Sequence, residues 1–162
     1  MAHHNLTPAI PGFYSDPTMC AGPDAVYLAT SSFEYFPGAP VLRTTDLDAF
    51  VQVGNVVHRT DQFPLATFDA GSSGIFGSTL RHHAGRFWFA TTNIGQIDDG
   101  QAILTADDPA GPWSPPVFVP GTFGIDPDLA WDDDGTCYLT WCAFPDSIAQ
   151  ATVTRLPARC SR

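Results

Sequence analysis

The residues best placed to do chemistry are two aspartates that each precede a proline. Asp16 stands in Pro11-Gly12-Phe13-Tyr14-Ser15-Asp16-Pro17, and Asp126 in Gly124-Ile125-Asp126-Pro127-Asp128. Each precedes a strand-like run by nearly the same interval: Tyr27 lies 11 residues after Asp16, and Tyr138 lies 12 after Asp126. Carboxylates at corresponding points of a repeated unit converge when the units pack about a common axis, and converging carboxylates suit general acid–base work. The following proline keeps each aspartate out of the right-handed helical region and predicts an extended backbone. On the residues alone a second reading stands beside this one, because Asp-Pro is common in turns and both aspartates could simply initiate them.

Other reactive-looking groups reduce to structure. Asp132-Asp133-Asp134-Gly135 lacks the alternating acids and distant glutamate of a calcium loop, so a hairpin turn is expected. His82 and His83 are adjacent and would face opposite sides of a strand, which predicts a hairpin rim and no shared metal. Gly71-Ser72-Ser73-Gly74 is not followed by the Lys-Ser/Thr of a phosphate loop and does not fit GxSxG, and is read as a loop. Cys20, Cys137, Cys142 and Cys160 show no CxxC spacing and are read as free thiols.

The elements that must position the aspartates are strands. Short β-branched and aromatic runs between turn residues recur along the 162 residues, and helical periodicity is missing. Val26-Tyr27-Leu28-Ala29-Thr30, Phe87-Trp88-Phe89-Ala90-Thr91 and Cys137-Tyr138-Leu139-Thr140-Trp141 each follow a turn and predict the second strand of a hairpin. A second similarity, between Val41–Val57 and Ala102–Val119, recurs at an offset of about 61 residues. A period of roughly 50 to 60 residues with about four short strands predicts β-propeller blades. Blade one then covers about 16 to 60 and blade two about 70 to 120, with blade three starting near 126. About two and a half blades cannot close a ring, so the choice is between part of a larger propeller and a compact sandwich.

Composition limits the partners. The 17 acidic residues oppose seven basic ones for a formal net charge of −10, which disfavours nucleic acid and anionic membranes. No run approaches the roughly 18 apolar residues of a membrane span, and no signal peptide is visible, so a cytoplasmic location is expected. Lysine is absent, all the acids but Glu34 are aspartates, and three arginines (Arg155, Arg159, Arg162) crowd the C-terminal end.

The stretch Pro11 to Thr18, Tyr27-Leu28-Ala29-Thr30-Ser31-Ser32-Phe33-Glu34-Tyr35-Phe36-Pro37-Gly38, Gly124-Ile125-Asp126-Pro127-Asp128-Leu129 and the Asp132 to Gly135 turn resemble glycoside hydrolase family 43, the β-xylosidases and α-L-arabinofuranosidases. The resemblance implies an all-β, five-bladed propeller and inverting hydrolysis by three carboxylates. It makes Asp16 the general base and Asp126 the residue that orients the acid and modulates its pKa. The family's acid is a glutamate of a later blade; Glu34 belongs to the Ser-Ser-Phe-Glu motif, so the general acid is expected to be absent from this chain. Phe33 matches an aromatic at the floor of the sugar pocket. Phe76 stands where many members carry tryptophan in Gly-Ile-Trp-Ala-Pro, here Gly74-Ile75-Phe76-Gly77-Ser78. Core packing remains the alternative for both phenylalanines.

The expected substrate is a xylo- or arabino-oligosaccharide of hemicellulose. No organic cofactor or metal is expected, although some relatives hold calcium in the channel through a later ligand. Residues 1–144 are expected to be the N-terminal part of the catalytic propeller, and 145–162 a divergent tail of a truncated or frameshifted gene. Two alternatives stay open, a non-catalytic carbohydrate-binding β module and a non-functional fragment. Exposed blade faces predict self-association or a complementing C-terminal fragment.

Overall fold

Three turns set the three inner hairpins. Gly22 N–H donates to the Ala25 carbonyl at 2.8 Å. Ala84 and Gly85 both have positive φ, 50° and 76°, which is what a two-residue hairpin needs if its twist is to match that of the strands. In the triple-aspartate turn, Thr136 N–H donates to Asp132 Oδ1 at 2.9 Å and Asp134 Oδ1 at 2.8 Å. Those acids are used to satisfy a backbone donor.

The structure is a computed structural model that describes residues 8–145 and 147–153. In chain order the strands form three antiparallel sheets. The first contains β1 (Thr18–Ala21), β2 (Val26–Ala29), β3 (Gly38–Thr44) and β4 (Val51–Val57). The second contains β5 (Ile75–His83), β6 (Arg86–Asn93), β7 (Gln101–Ala106) and β8 (Val117–Val119), and the third β9 (Gly124–Trp131), β10 (Cys137–Ala143) and β11 (Ser147–Thr152). Within each sheet every strand pairs with its chain neighbours, and β1, β5 and β9 lie side by side. These are successive blades of an incomplete propeller, with the recurring runs at β2, β6 and β10.

Blade two is packed on both faces. Phe87 and Phe89 of β6 join Tyr27, Val41, Leu80 and Leu104 in a core shared with blade one. Trp88 and Ala90, pointing the other way, join Leu129, Leu139 and Trp141 of blade three in a second core. A strand buried on both sides reads as a continuous apolar run because each face of its two-residue period meets a neighbour. All eight residues of β6 are buried.

Polar bonds between inner strands fix how the blades align. Leu80 N–H donates to Thr18 Oγ1 at 3.1 Å, and Thr79 Oγ1 donates to Asp128 Oδ1 at 2.8 Å. The Asp128 carboxylate also pairs with Arg81, whose Nε donates to the Leu129 carbonyl at 3.2 Å. Thr18, Thr79 and Asp128 hold the same register position, opposite Ala29, Ala90 and Thr140. Corresponding residues thus join blade to blade.

The boundary expected at residue 144 falls at a hairpin. β11 lies within the segment set apart as a divergent tail, yet it pairs with β10 from Ala143↔Ser147 to Tyr138↔Thr152. Its inward residues are Ala149 and Ala151, packed against the second core. Two alanines give almost no hydrophobic periodicity, which hides the strand. The rest of that tail, with Arg155, Arg159, Cys160 and Arg162, lies outside the described residues. Cys20, Cys137 and Cys142 are free thiols, and burial pushes Cys20 and Cys137 up to about 11.

Phe89 is wholly buried, so Phe89→Ala should cost about 3–5 kcal/mol. Val51 is 66% exposed, and Val51→Ala should stay within about 0.5 kcal/mol of the parent. Urea unfolding followed by circular dichroism checks the pair.

Candidate active site

The register that pins blade to blade also gathers the two aspartates. Asp16 stands two residues before Thr18 at the entrance to β1, and Asp126 stands two residues before Asp128 in β9. Both line one cavity of about 250 Å³, together with Pro17, Gly77, Ser78 and Pro127. Gly77 is the corresponding residue of blade two, two before Thr79, so two carboxylates flank a strand that bears no side chain at that point.

Neither aspartate is extended. Their φ angles are 49° and 57°, in the left-handed region, which corrects the expectation from the following prolines. Proline bars the right-handed helical region, and aspartate is among the few residues other than glycine that enter the left-handed one with modest strain. The turned backbone lets each side chain leave the strand and face the cavity. Strain of this kind gathers at functional positions.

The two carboxyls differ in surroundings. Ser31, just past the end of β2, donates its Oγ to Asp16 Oδ2 at 2.6 Å. Asp126 receives no such bond among the described residues; its pKa is raised, first by burial and then by the negative charge of Asp16. Like charges that share a small cavity resist simultaneous ionisation.

The phenylalanines form a neighbouring cluster. Phe33 and Phe76 are half-buried, with ring centroids 5.2 Å apart and planes at 69°. Phe33 has φ of 47° and is fixed by a backbone bond from its N–H to the Ile75 carbonyl at 2.8 Å. Phe13 lies 5.9 Å from Phe33 and 5.5 Å from Tyr35, which extends the cluster to the surface. Neither Phe33 nor Phe76 lines the aspartate cavity, although Phe76 directly precedes Gly77. Glu34 is turned elsewhere, its Oε2 accepting the Ser72 N–H at 3.1 Å.

Ser31 and Gly77 stand within the quoted motifs but receive no role from the sequence, since a serine after a strand and a glycine within one carry no chemical signature alone. His83 stacks on Trp131 at 4.4 Å and His82 lies against Phe87 at 4.7 Å. Among the described residues, no three His, Cys, Asp or Glu side chains gather as a metal site. No helix among them is long and apolar enough to cross a membrane.

The sequence model of the family described as "Glycosyl hydrolases family 43" matches residues 6–157. The chain belongs to that family. A Butyrivibrio fibrisolvens protein described as "Xylosidase/arabinosidase" is 47% identical over 133 residues, covering 81% of this chain and 25% of that protein. A Bacteroides ovatus non-reducing end α-L-arabinofuranosidase is 40% identical, with coverage of 82% and 25%. Among solved structures, Bacteroides ovatus "Xyloglucan PUL GH43B" superposes with a TM-score of 0.82 at 37% identity, covering 90% of this chain and 29% of that one. The xylan β-1,4-xylosidase from Bacillus halodurans superposes with a TM-score of 0.75 at 35% identity, covering 82% and 26%. The chain spans about a quarter of the length of the curated relatives it matches.

A carboxyl whose pKa is raised on folding contributes stability that is complete below its unfolded value and lost as pH rises through the folded one. Stability relative to Asp126→Asn should therefore fall from acid toward neutral pH, as read by thermal unfolding. Asp16→Asn should lower the Asp126 midpoint without restoring its ordinary value, because burial remains. Carbon-13 NMR of the side-chain carboxyls measures that shift.

Proposed function

We propose that this chain carries two of the three carboxylates of an inverting glycosidase acting on xylosyl or arabinofuranosyl units. The observation that carries the reading is the shared cavity of Asp16 and Asp126, with Asp126 shifted by burial and by its partner's charge. Asp16 is the general base. The Ser31 hydroxyl occupies Oδ2, which orients the group and leaves Oδ1 to take the proton from a water attacking the anomeric carbon. Inversion puts the acid on the opposite side of the sugar, roughly 6.5 to 9.5 Å from the base, so that this water fits. Asp126 sits beside the base and acts on the acid, holding its orientation and keeping it protonated through like charge.

The acid itself is assigned to residues other than these 162, since Glu34 is engaged with the Ser72 backbone away from the cavity. The names of the relatives support a xylo- or arabino-oligosaccharide as substrate. A second reading, a carbohydrate-binding module without turnover, is favoured by the aromatic cluster that ends in Phe13 and Tyr35, which are 57% and 59% exposed.

General acid assistance supplies about 10² to 10⁴ in rate, so the purified chain should show no more than trace turnover of xylosides or arabinosides with poor leaving groups. Robust turnover abolished by Asp16→Ala would place the acid within the chain. Xylose or arabinose should perturb the Asp16 carboxyl resonance; a sugar that perturbs only the phenylalanines favours the binding module. The edge of β11, which has no partner strand among the described residues, and Ile148, 75% exposed, support self-association, and sedimentation should show species larger than monomer. A sharp monomer that unfolds cooperatively would remove that part of the proposal.

A further inference from the structure

Gly77 has a backbone any residue could adopt, since its φ is not positive, so backbone freedom does not account for a glycine inside β5. Space does. A Cβ built there would stand 2.5 Å from Asp126 Oδ1 and 3.2 Å from its Cγ, and the three heavy atoms nearest to it all belong to Asp126. We propose that Gly77 is a positioning residue: the place its side chain would take is the seat of the Asp126 carboxylate, and this one position of blade two sets how Asp126 stands toward Asp16.

The seat matters because of what surrounds it. The charged groups on the adjoining inner strands are Asp16 ahead of β1 and the Arg81–Asp128 pair between β5 and β9, and Arg81 is already engaged with Asp128. Asp126 therefore depends on geometry to lie beside Asp16. A methyl group at 77 meets the end of a movable side chain and displaces it away from β5. The catalytic meaning of this displacement rests on the roles proposed above for the two aspartates, whereas the contact itself does not.

Two measurements on the full chain test it. In carbon-13 carboxyl titrations without sugar, Gly77→Ala should lower the Asp126 midpoint by about half a pH unit or more as the group becomes better solvated. Gly71→Ala, which meets nothing within 4 Å, should leave it unmoved. An unchanged or raised midpoint in Gly77→Ala overturns the seat. Should Gly77→Ala fold poorly, a double-mutant cycle decides. Gly77→Ala should lower the unfolding temperature in the parent and have little effect in Asp126→Ala, where the opposing carboxyl is gone. An equal loss in both backgrounds overturns the proposal. Neither measurement uses turnover, so a failed glycosidase reading would leave these results standing, and a failed seat would leave that reading to its own sugar and activity tests.

Discussion

Two carboxylates are held on either side of one strand by hydrogen bonds two residues further along. Thr18, Thr79 and Asp128 meet across the inner strands, and that register carries positions 16, 77 and 126 to a single cavity. A slip of one residue in β1 or β9 would send its aspartate to the opposite face, because side chains alternate with a period of two. The approach of the like charges is thus set by strand register, with Asp16 held just ahead of β1 by its bond from Ser31.

That register is maintained by apolar packing. Blade two contributes Phe87 and Phe89 to one neighbour and Trp88 and Ala90 to the other, so β6 ties both inter-blade cores to one piece of backbone. Surface ion pairs such as Arg43–Asp24 and Arg59–Asp61 contribute little by comparison, since exposed pairs are worth about 0 to 1 kcal/mol. The outer strands give the blades their breadth, and the inner strands carry the chemistry.

Much of this was legible in the sequence. The three hairpin runs, the 61-residue recurrence and the two Asp-Pro aspartates rest on local chemistry: turn residues, two-residue alternation and a proline that restricts its predecessor. Three features were not legible. The left-handed backbone of Asp16 and Asp126 was missed because proline excludes one region without selecting between the others. β11 was missed because Ala149 and Ala151 bury an inner face without a large side chain to announce it. Gly77 and Ser78 stood out only as departures from Ala-Pro in a familiar pattern, and the meaning of a missing side chain emerges only when its neighbour from a strand 49 residues away is in place.

Asp16 and Asp126 both occupy backbone conformations that cost free energy, and Asp126 bears a further cost from burial beside a like charge. Neither cost is offset inside the cavity, where the one bond to Asp16 comes from Ser31 and none reaches Asp126 among the described residues. The compensation must come from the packing that carries the strands, chiefly the two cores meeting at β6. Loosening either core would therefore relax the aspartates before it unfolded the sheets, since the strained groups gain most from the freedom. In this arrangement the hydrophobic contacts around Phe89 and Trp88 belong to the electrostatics of the site as much as to the stability of the fold.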